Sequence, residues 1–298
     1  MSFVSLVKAD ICSDFKKAIG RSFDLIGFHF PPNLQRIVVK PNMCCYSDYS
    51  TGITTDPKII AELIDFLREN ISSDVQISIV ESDASAVKFK YSSKILGYEK
   101  MSKEKNVKLV NLTEDSNEEV KVRVANHSYT FLLPSTIKDA DLFINLPKMK
   151  YMEDPPEISC ALKNIYGCNP YPNKFKYHPY LDEVIVGLNK IMKPDLCLVD
   201  GVIVRGKYTK KLGLIMASSD PEAIDSAAAR IMGLNPKKID HIVLAEKEGV
   251  GNMNFNVVGE SLQFFAKQFP KRSARDKIRS TVIKIGLSTL RRLGLNIP

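Results

Sequence analysis

What this 298-residue chain lacks narrows its chemistry before anything it contains. There is no G-x-x-x-x-G-K-[ST], no G-x-G-x-x-G, no H-E-x-x-H and no G-x-S-x-G. Ordinary P-loop, Rossmann-fingerprint and serine hydrolase mechanisms are therefore disfavoured. No apolar run reaches the about 18 residues of a membrane span, and the N-terminus is not basic-then-apolar, so neither a span nor a signal peptide is expected. Cysteines number six and are irregularly spaced, which argues against a secreted disulfide framework and for a reducing, cytoplasmic compartment. The adjacent pair Cys44-Cys45 and the gap between Cys160 and Cys168 match no common zinc or iron–sulfur spacing, so buried small hydrophobes are the expectation for them.

Charge is present, but unevenly. The total is 42 Lys and Arg against 34 Asp and Glu, a net +8. Residues 259–298 hold nine cations and two anions, a net +7, which leaves a nearly neutral body. Global charge therefore says little about a substrate. Within that segment Ser273-Ala274-Arg275-Asp276 reads as a capping box, and Ile278, Val282, Ile285 and Leu293 share one helical face among Lys277, Arg279, Lys284, Arg291 and Arg292. Such a basic amphipathic helix can lie on an anionic membrane surface or dock on its own domain. Nucleic acid fits less well, because no binding motif accompanies the cations.

The body reads as α/β: a mainly parallel sheet flanked by helices, with a β-rich central insertion and the basic C-terminal helix. Arg36–Val39 is a β-branched run stopped at Lys40-Pro41-Asn42. Asp56-Pro57 begins a helix carrying Ile59, Ile60, Leu63, Ile64 and Leu67, and Val75–Val80 forms a second strand closing at Glu81. Residues 88–135 read as a helix to about Glu104 followed by an antiparallel insertion. Strands are expected again at Leu142–Leu146, Leu196–Val199 and Leu214–Ala217, with helices at Ser159–Tyr166, Leu181–Met192 and from Pro221. The expected division is an α/β domain over 1–258 and a basic tail over 259–298.

Polar residues recur where an α/β sheet places its ligand, at the carboxyl ends of strands and the starts of helices. An anionic small molecule is the expected ligand. Lys40, Asn42, Thr54, Thr55, Lys148, Lys150 and Asn164 are the candidate binding residues, and Lys163, His178, Asp200 and Glu81 the candidate catalytic ones. Each alone has an ordinary reading: a solvated lysine, a helix cap for Asp56 or Asp220, a packed loop histidine for His178. His178 follows Lys174 and Lys176, and nearby cations disfavour its protonated form, which suits a general base.

Taken in order, V-V-K-P-N at 38–42, G-I-T-T-D-P at 52–57, D-L-F-I-N-L-P-K-M-K at 141–150, A-L-K-N-I-Y-G at 161–167, K-Y-H at 176–178, V-D-G at 199–201 and S-S-D-P-E-A-I-D at 218–225 resemble the family named domain of unknown function 362. The resemblance runs from about Val38 to Gly251 and implies a cytoplasmic α/β protein. Many such proteins carry a ferredoxin-like module with two four-iron clusters. Cys-x-x-Cys-x-x-Cys does not occur here, so the resemblance implies a separate ferredoxin-type partner, with oxidoreductase the first guess for reaction class and no cofactor assigned. Relatives usually continue after the Lys-x-Lys turn with Thr-His, whereas this chain has Tyr151-Met152; a role held by that histidine is unfilled here or falls to His178. More distantly, the Thr-Thr-Asp-Pro helix start and the Pro-Lys-x-Lys turn are similar to the layout of nickel-pincer lactate racemases. The rival reading is a non-catalytic assembly protein brought to a membrane surface by residues 273–298.

Overall fold

A computed structural model describes residues 1–9, 15–152, 156–271, 282 and 286. The capping box and most of the basic helix, together with Cys12, lie outside the described residues.

β1 (Ser2–Lys8) and α1 (Phe15–Leu25) open the chain and are not anticipated by the patterns above. β2 (Arg36–Pro41), α2 (Pro57–Asn70) and β3 (Gln76–Glu81) form the expected parallel unit, with Arg36 beside Gln76 and Val39 beside Ile79. Asp56 caps α2 by accepting a hydrogen bond from the Lys58 amide, with Pro57 at the first helical position where no donor is needed. Two short helices follow instead of one, α3 (Phe89–Ile95) and α4 (Tyr98–Glu104). They are separated at Gly97, whose φ of 85° ends a right-handed helix.

β4 (Lys108–Asn111) pairs in parallel with β3 and so belongs to the main sheet. The antiparallel part of the expected insertion is confined to β5 (Asn117–Val124) and β6 (His127–Pro134), a separate two-stranded sheet. After α5 (Ser135–Lys138) come β7 (Leu142–Leu146), β8 (Lys148–Tyr151), β9 (Ile158–Ser159), α6 (Ala161–Ile165) and α7 (Leu181–Ile191). β10 (Leu196–Arg205), β11 (Thr209–Ser218), α8 (Pro221–Met232), α9 (Asp240–Lys247), β12 (Phe255–Gly259) and α10 (Leu262–Gln268) complete the described body.

The main sheet runs β12-β1-β11-β10-β7-β2-β3-β4, with β8 against β10 and β9 against β8. Most neighbours are parallel; β11 is antiparallel to both β1 and β10. Alternation along β2 sends Val38 to one face and Ile37 and Val39 to the other, so each face has its own core. Val38 joins α6, α7, α8 and α9 residues such as Ile165, Val184, Ile224 and Ile242, while Ile37 and Val39 join Ile19, Ile60 and Leu63 of α1 and α2. β12 adds a parallel strand to β1 and α10 buries Phe265. β12 and α10 thus lie against the body across the division expected at 258. Among the described residues, no helix is long and apolar enough to cross a membrane.

Candidate functional site

β2 and β3 end side by side, and that places Lys40 next to Glu81. Their Nζ and Oε2 atoms are 2.8 Å apart in a buried ion pair. Lys40 also donates to the Pro41 carbonyl at 2.6 Å. Glu81 accepts the backbone amides of Met43 at 3.2 Å and Ser82 at 3.1 Å. Gly167 is pressed against this pair: a β-carbon there would lie 2.7 Å from Glu81 Oε1 and 2.8 Å from Lys40 Nζ. A side chain at 167 would therefore push into the ion pair.

Above that floor is a cavity of about 270 Å³. Among the described residues, Lys40, Lys150, Lys163 and Lys174 line it with Glu81 as the one carboxylate, beside Asn42, Cys44, Ser82, Asn164, Tyr166 and His178. Three of the lysines are occupied by neighbours. Lys150 donates to Asn42 Oδ1 at 3.2 Å, the Ile53 carbonyl at 3.0 Å and Cys44 Sγ at 3.0 Å. Lys174 donates to Ser82 Oγ at 2.5 Å and reaches the Gly167 carbonyl at 3.4 Å. Lys163 differs, because among the described residues no carboxylate or carbonyl bonds its nitrogen. It sits 4.0 Å from the centroid of the Tyr166 ring, a cation–π contact that does not neutralise it.

The position of Lys163 is set from elsewhere in the fold. α6 has no side-chain cap of its own. Asp225, on α8, takes that place: its Oδ1 accepts the Ala161 amide at 2.6 Å and the Leu162 amide at 3.4 Å. One turn on, Asn164 Nδ2 donates to Asn145 Oδ1 at 2.7 Å and to the Lys40 carbonyl at 3.0 Å, tying α6 to β7 and β2.

Burial, with the charges of Lys150 and Lys174 behind it, brings the Lys163 ammonium down to about 7. Burial also lowers Lys174 to about 8, with Lys40 adding to it and Glu81 opposing. His178 is held below the ordinary imidazole value by burial and by Lys163. Cys44 falls well below the ordinary thiol range, because the Cys45 thiol donates to its sulfur and Lys150 stabilises the thiolate. Cys45 rises in consequence.

Lys40, Asn42, Glu81, Lys150, Lys163, Asn164 and His178 line one cavity. Lys148 and Asp200 do not; they form a buried ion pair of 2.8 Å, and Asp200 also accepts the Asp56 amide at 2.9 Å and the Val202 amide at 3.1 Å. Thr54 donates to the Ser47 carbonyl, and Thr55 joins the Leu146 carbonyl to the Asn42 amide. Those four residues hold the strand ends and loops behind the cavity wall.

Cys44 is exposed and Cys45 partly so, against the expectation of buried small hydrophobes, which fits Cys160, Cys168 and Cys197. The loop leaving β2 turns the pair outward over Lys150. Lys174, Ser82 and Tyr166 were not among the candidates. The signal for Lys174 is its place in a segment holding Tyr166, Tyr171, Phe175, Tyr177 and Tyr180, from which His178 alone is a candidate.

One curated protein and one solved structure are similar to parts of this chain. Thylakoid-associated protein sll1697 of Synechocystis sp. is 30% identical over 125 residues, which cover 38% of this chain and 39% of that protein. The chain thus matches about two fifths of that relative's length. The lactate racemase apoprotein from Thermoanaerobacterium thermosaccharolyticum superposes with a TM-score of 0.44 at 12% identity, over 78% of this chain and 58% of the other. Residues 37–230 carry all the cavity's lining residues and match one family throughout, and the chain belongs to that family, described as Domain of unknown function (DUF362).

Proposed function

We propose that the cavity binds a small anion, a carboxylate or a phosphate ester, and that the protein acts on it as an enzyme. The observation that carries this reading is Lys163, a cavity-lining lysine whose nitrogen lies over the Tyr166 ring and, among the described residues, bonds no carboxylate or carbonyl. Protonated, the four lysines exceed Glu81, the one carboxylate among the described lining residues, by three charges. Burial is the main cause of the lowered Lys163 and Lys174 ammoniums, and an anion would relieve the repulsion that adds to it, from Lys150 and Lys174 on the one and from Lys40 on the other. His178 and the Cys44 thiolate supply proton transfer and nucleophilicity at the same wall.

Isothermal titration with inorganic phosphate and with acetate at low salt tests the binding. Loss of a charge-assisted bond is worth about 1.5–3 kcal/mol, so Lys163→Met should weaken the better anion about tenfold or more. Equal affinity in wild type and variant would sink the reading. Redox chemistry with a separate ferredoxin-type partner belongs to the same proposal and draws only on the family's ferredoxin-like modules.

Recruitment to a membrane surface is the second reading. It is supported by the net +7 of residues 259–298 and by the name of the thylakoid-associated relative. Co-sedimentation with anionic vesicles, unchanged on deleting residues 273–298, would refute it.

A further inference from the structure

Of the four lysines around the cavity, three spend their donors on fixed protein acceptors and one does not. Lys150 uses three, at Asn42, Cys44 and Ile53. Lys40 is held by Glu81 and the Pro41 carbonyl, and Lys174 by Ser82 and Gly167. An ammonium needs acceptors for its protons, whereas a neutral amine tolerates an aromatic wall. Lys163, beside the Tyr166 ring and on the cavity surface, is built like the second. The groups acting on it are Lys150 from β8, Lys174 from the turn before α7, Cys44 from the loop after β2 and Asp182 from α7, and its own charge acts on His178.

We propose that Lys163, which as an ammonium meets a free anion, is in its neutral form an amine nucleophile that condenses with the carbonyl of a small anionic carbonyl compound, whose carboxylate or phosphate lies against the remaining donors of Lys40 and Lys174. This rests on the anion-binding reading above and names the substrate class for it. The nitrogen lone pair forms the C–N bond as the carbonyl π pair moves to oxygen, which takes a proton. The nitrogen gives up two protons in all, the first to that oxygen as the carbinolamine forms and the second as the C=N bond of the neutral imine is completed, and the hydroxyl, protonated a second time, leaves as water with the C–O bonding pair. His178 lines the same cavity and is suited to carrying the proton from nitrogen to the departing oxygen. No oxidant or reductant is needed.

The pH behaviour agrees with the geometry. With an ammonium brought down to about 7, Lys163 at neutral pH presents more than about a hundredfold the neutral amine of an ordinary lysine near 10.4.

The test is reductive trapping. The full chain is incubated at neutral pH with borohydride and either pyruvate, a carboxylate-bearing carbonyl, or dihydroxyacetone phosphate, a phosphate-bearing one; the adduct is then weighed intact and mapped by peptide mass spectrometry. A single adduct at Lys163 is expected, and whichever probe gives it identifies the anionic group. Lys163→Arg keeps a cation but no nucleophile, so it should retain phosphate binding by titration while losing the adduct. An adduct of equal yield in Lys163→Arg, or one mapping to Lys150 or Lys174, overturns the proposal. Absence of adduct with both probes while phosphate binding persists overturns the imine and leaves the anion site standing. Absence of both adduct and phosphate binding removes both readings.

Discussion

Lys150 Nζ lies 3.0 Å from Cys44 Sγ, and the same sulfur receives a hydrogen bond from the Cys45 thiol. An exposed cysteine is thereby stabilised as thiolate by a cation whose other two donors are fixed on Asn42 and Ile53. Alkylation by iodoacetamide, followed by peptide mapping against pH, should show Cys44 reacting at lower pH than an ordinary thiol and Cys45 lagging. Lys150→Met should move the Cys44 profile up toward that of an ordinary thiol near 8.5. An unchanged profile in that variant would show that Lys150 does not set the thiolate.

Lys148 and Asp200 should behave as a structural pair. Both are at most 1% exposed at the side chain, so removing one leaves an unpaired buried charge. Lys148→Met should cost about 3–5 kcal/mol in denaturant unfolding, and the double variant Lys148→Met, Asp200→Leu should recover much of it. Additive losses in the double variant would contradict this.

Gly167 should tolerate no side chain. A methyl group there meets both Glu81 and Lys40 inside 3.0 Å, and overpacking of that kind costs about 1–3 kcal/mol. Gly167→Ala should also weaken phosphate binding by titration, because the floor of the cavity is displaced. Retained affinity and stability together would show that the pair moves aside freely.

Glu222 sets a pH dependence. Its side chain is fully buried at the start of α8, and burial, followed by the charge of Asp220, raises its carboxyl to about 8. The folded value lies above the ordinary 4.5, so the stability it contributes as a neutral acid is complete below about pH 4.5. That contribution is lost as pH rises toward 8. Glu222→Gln keeps the neutral shape, and its melting temperature should gain on wild type from pH 5 to pH 8.5 by at least a few degrees, about 2–4 °C per kcal/mol. A constant gap across that range would rule the titration out.

Legibility followed whether a residue's place was fixed by strand order alone. Lys40, Glu81 and Lys163 could be anticipated because a strand end or a short helix before a glycine specifies where they emerge. Lys148 and Asp200 obey the same rule yet pair with each other, because β8 and β10 are adjacent with these two residues in register. That register is a tertiary fact no local pattern encodes. Cys44 was hidden for a related reason: its loop direction is decided by Thr55 and Lys150 from distant segments. β1 and α1 escaped because β1 buries four consecutive residues instead of alternating, and α1 is a short helix with Gly20 in its interior.

The cap that Asp225 places on α6 makes the aim of Lys163 a property of another helix. Asp225 lies outside the cavity lining, 62 residues along the chain from the amine it orients. Reshaping this pocket by changing only what a ligand touches would leave its main steering point untouched. A shift of α8 by a fraction of an ångström would re-aim the lysine with every lining side chain still in place.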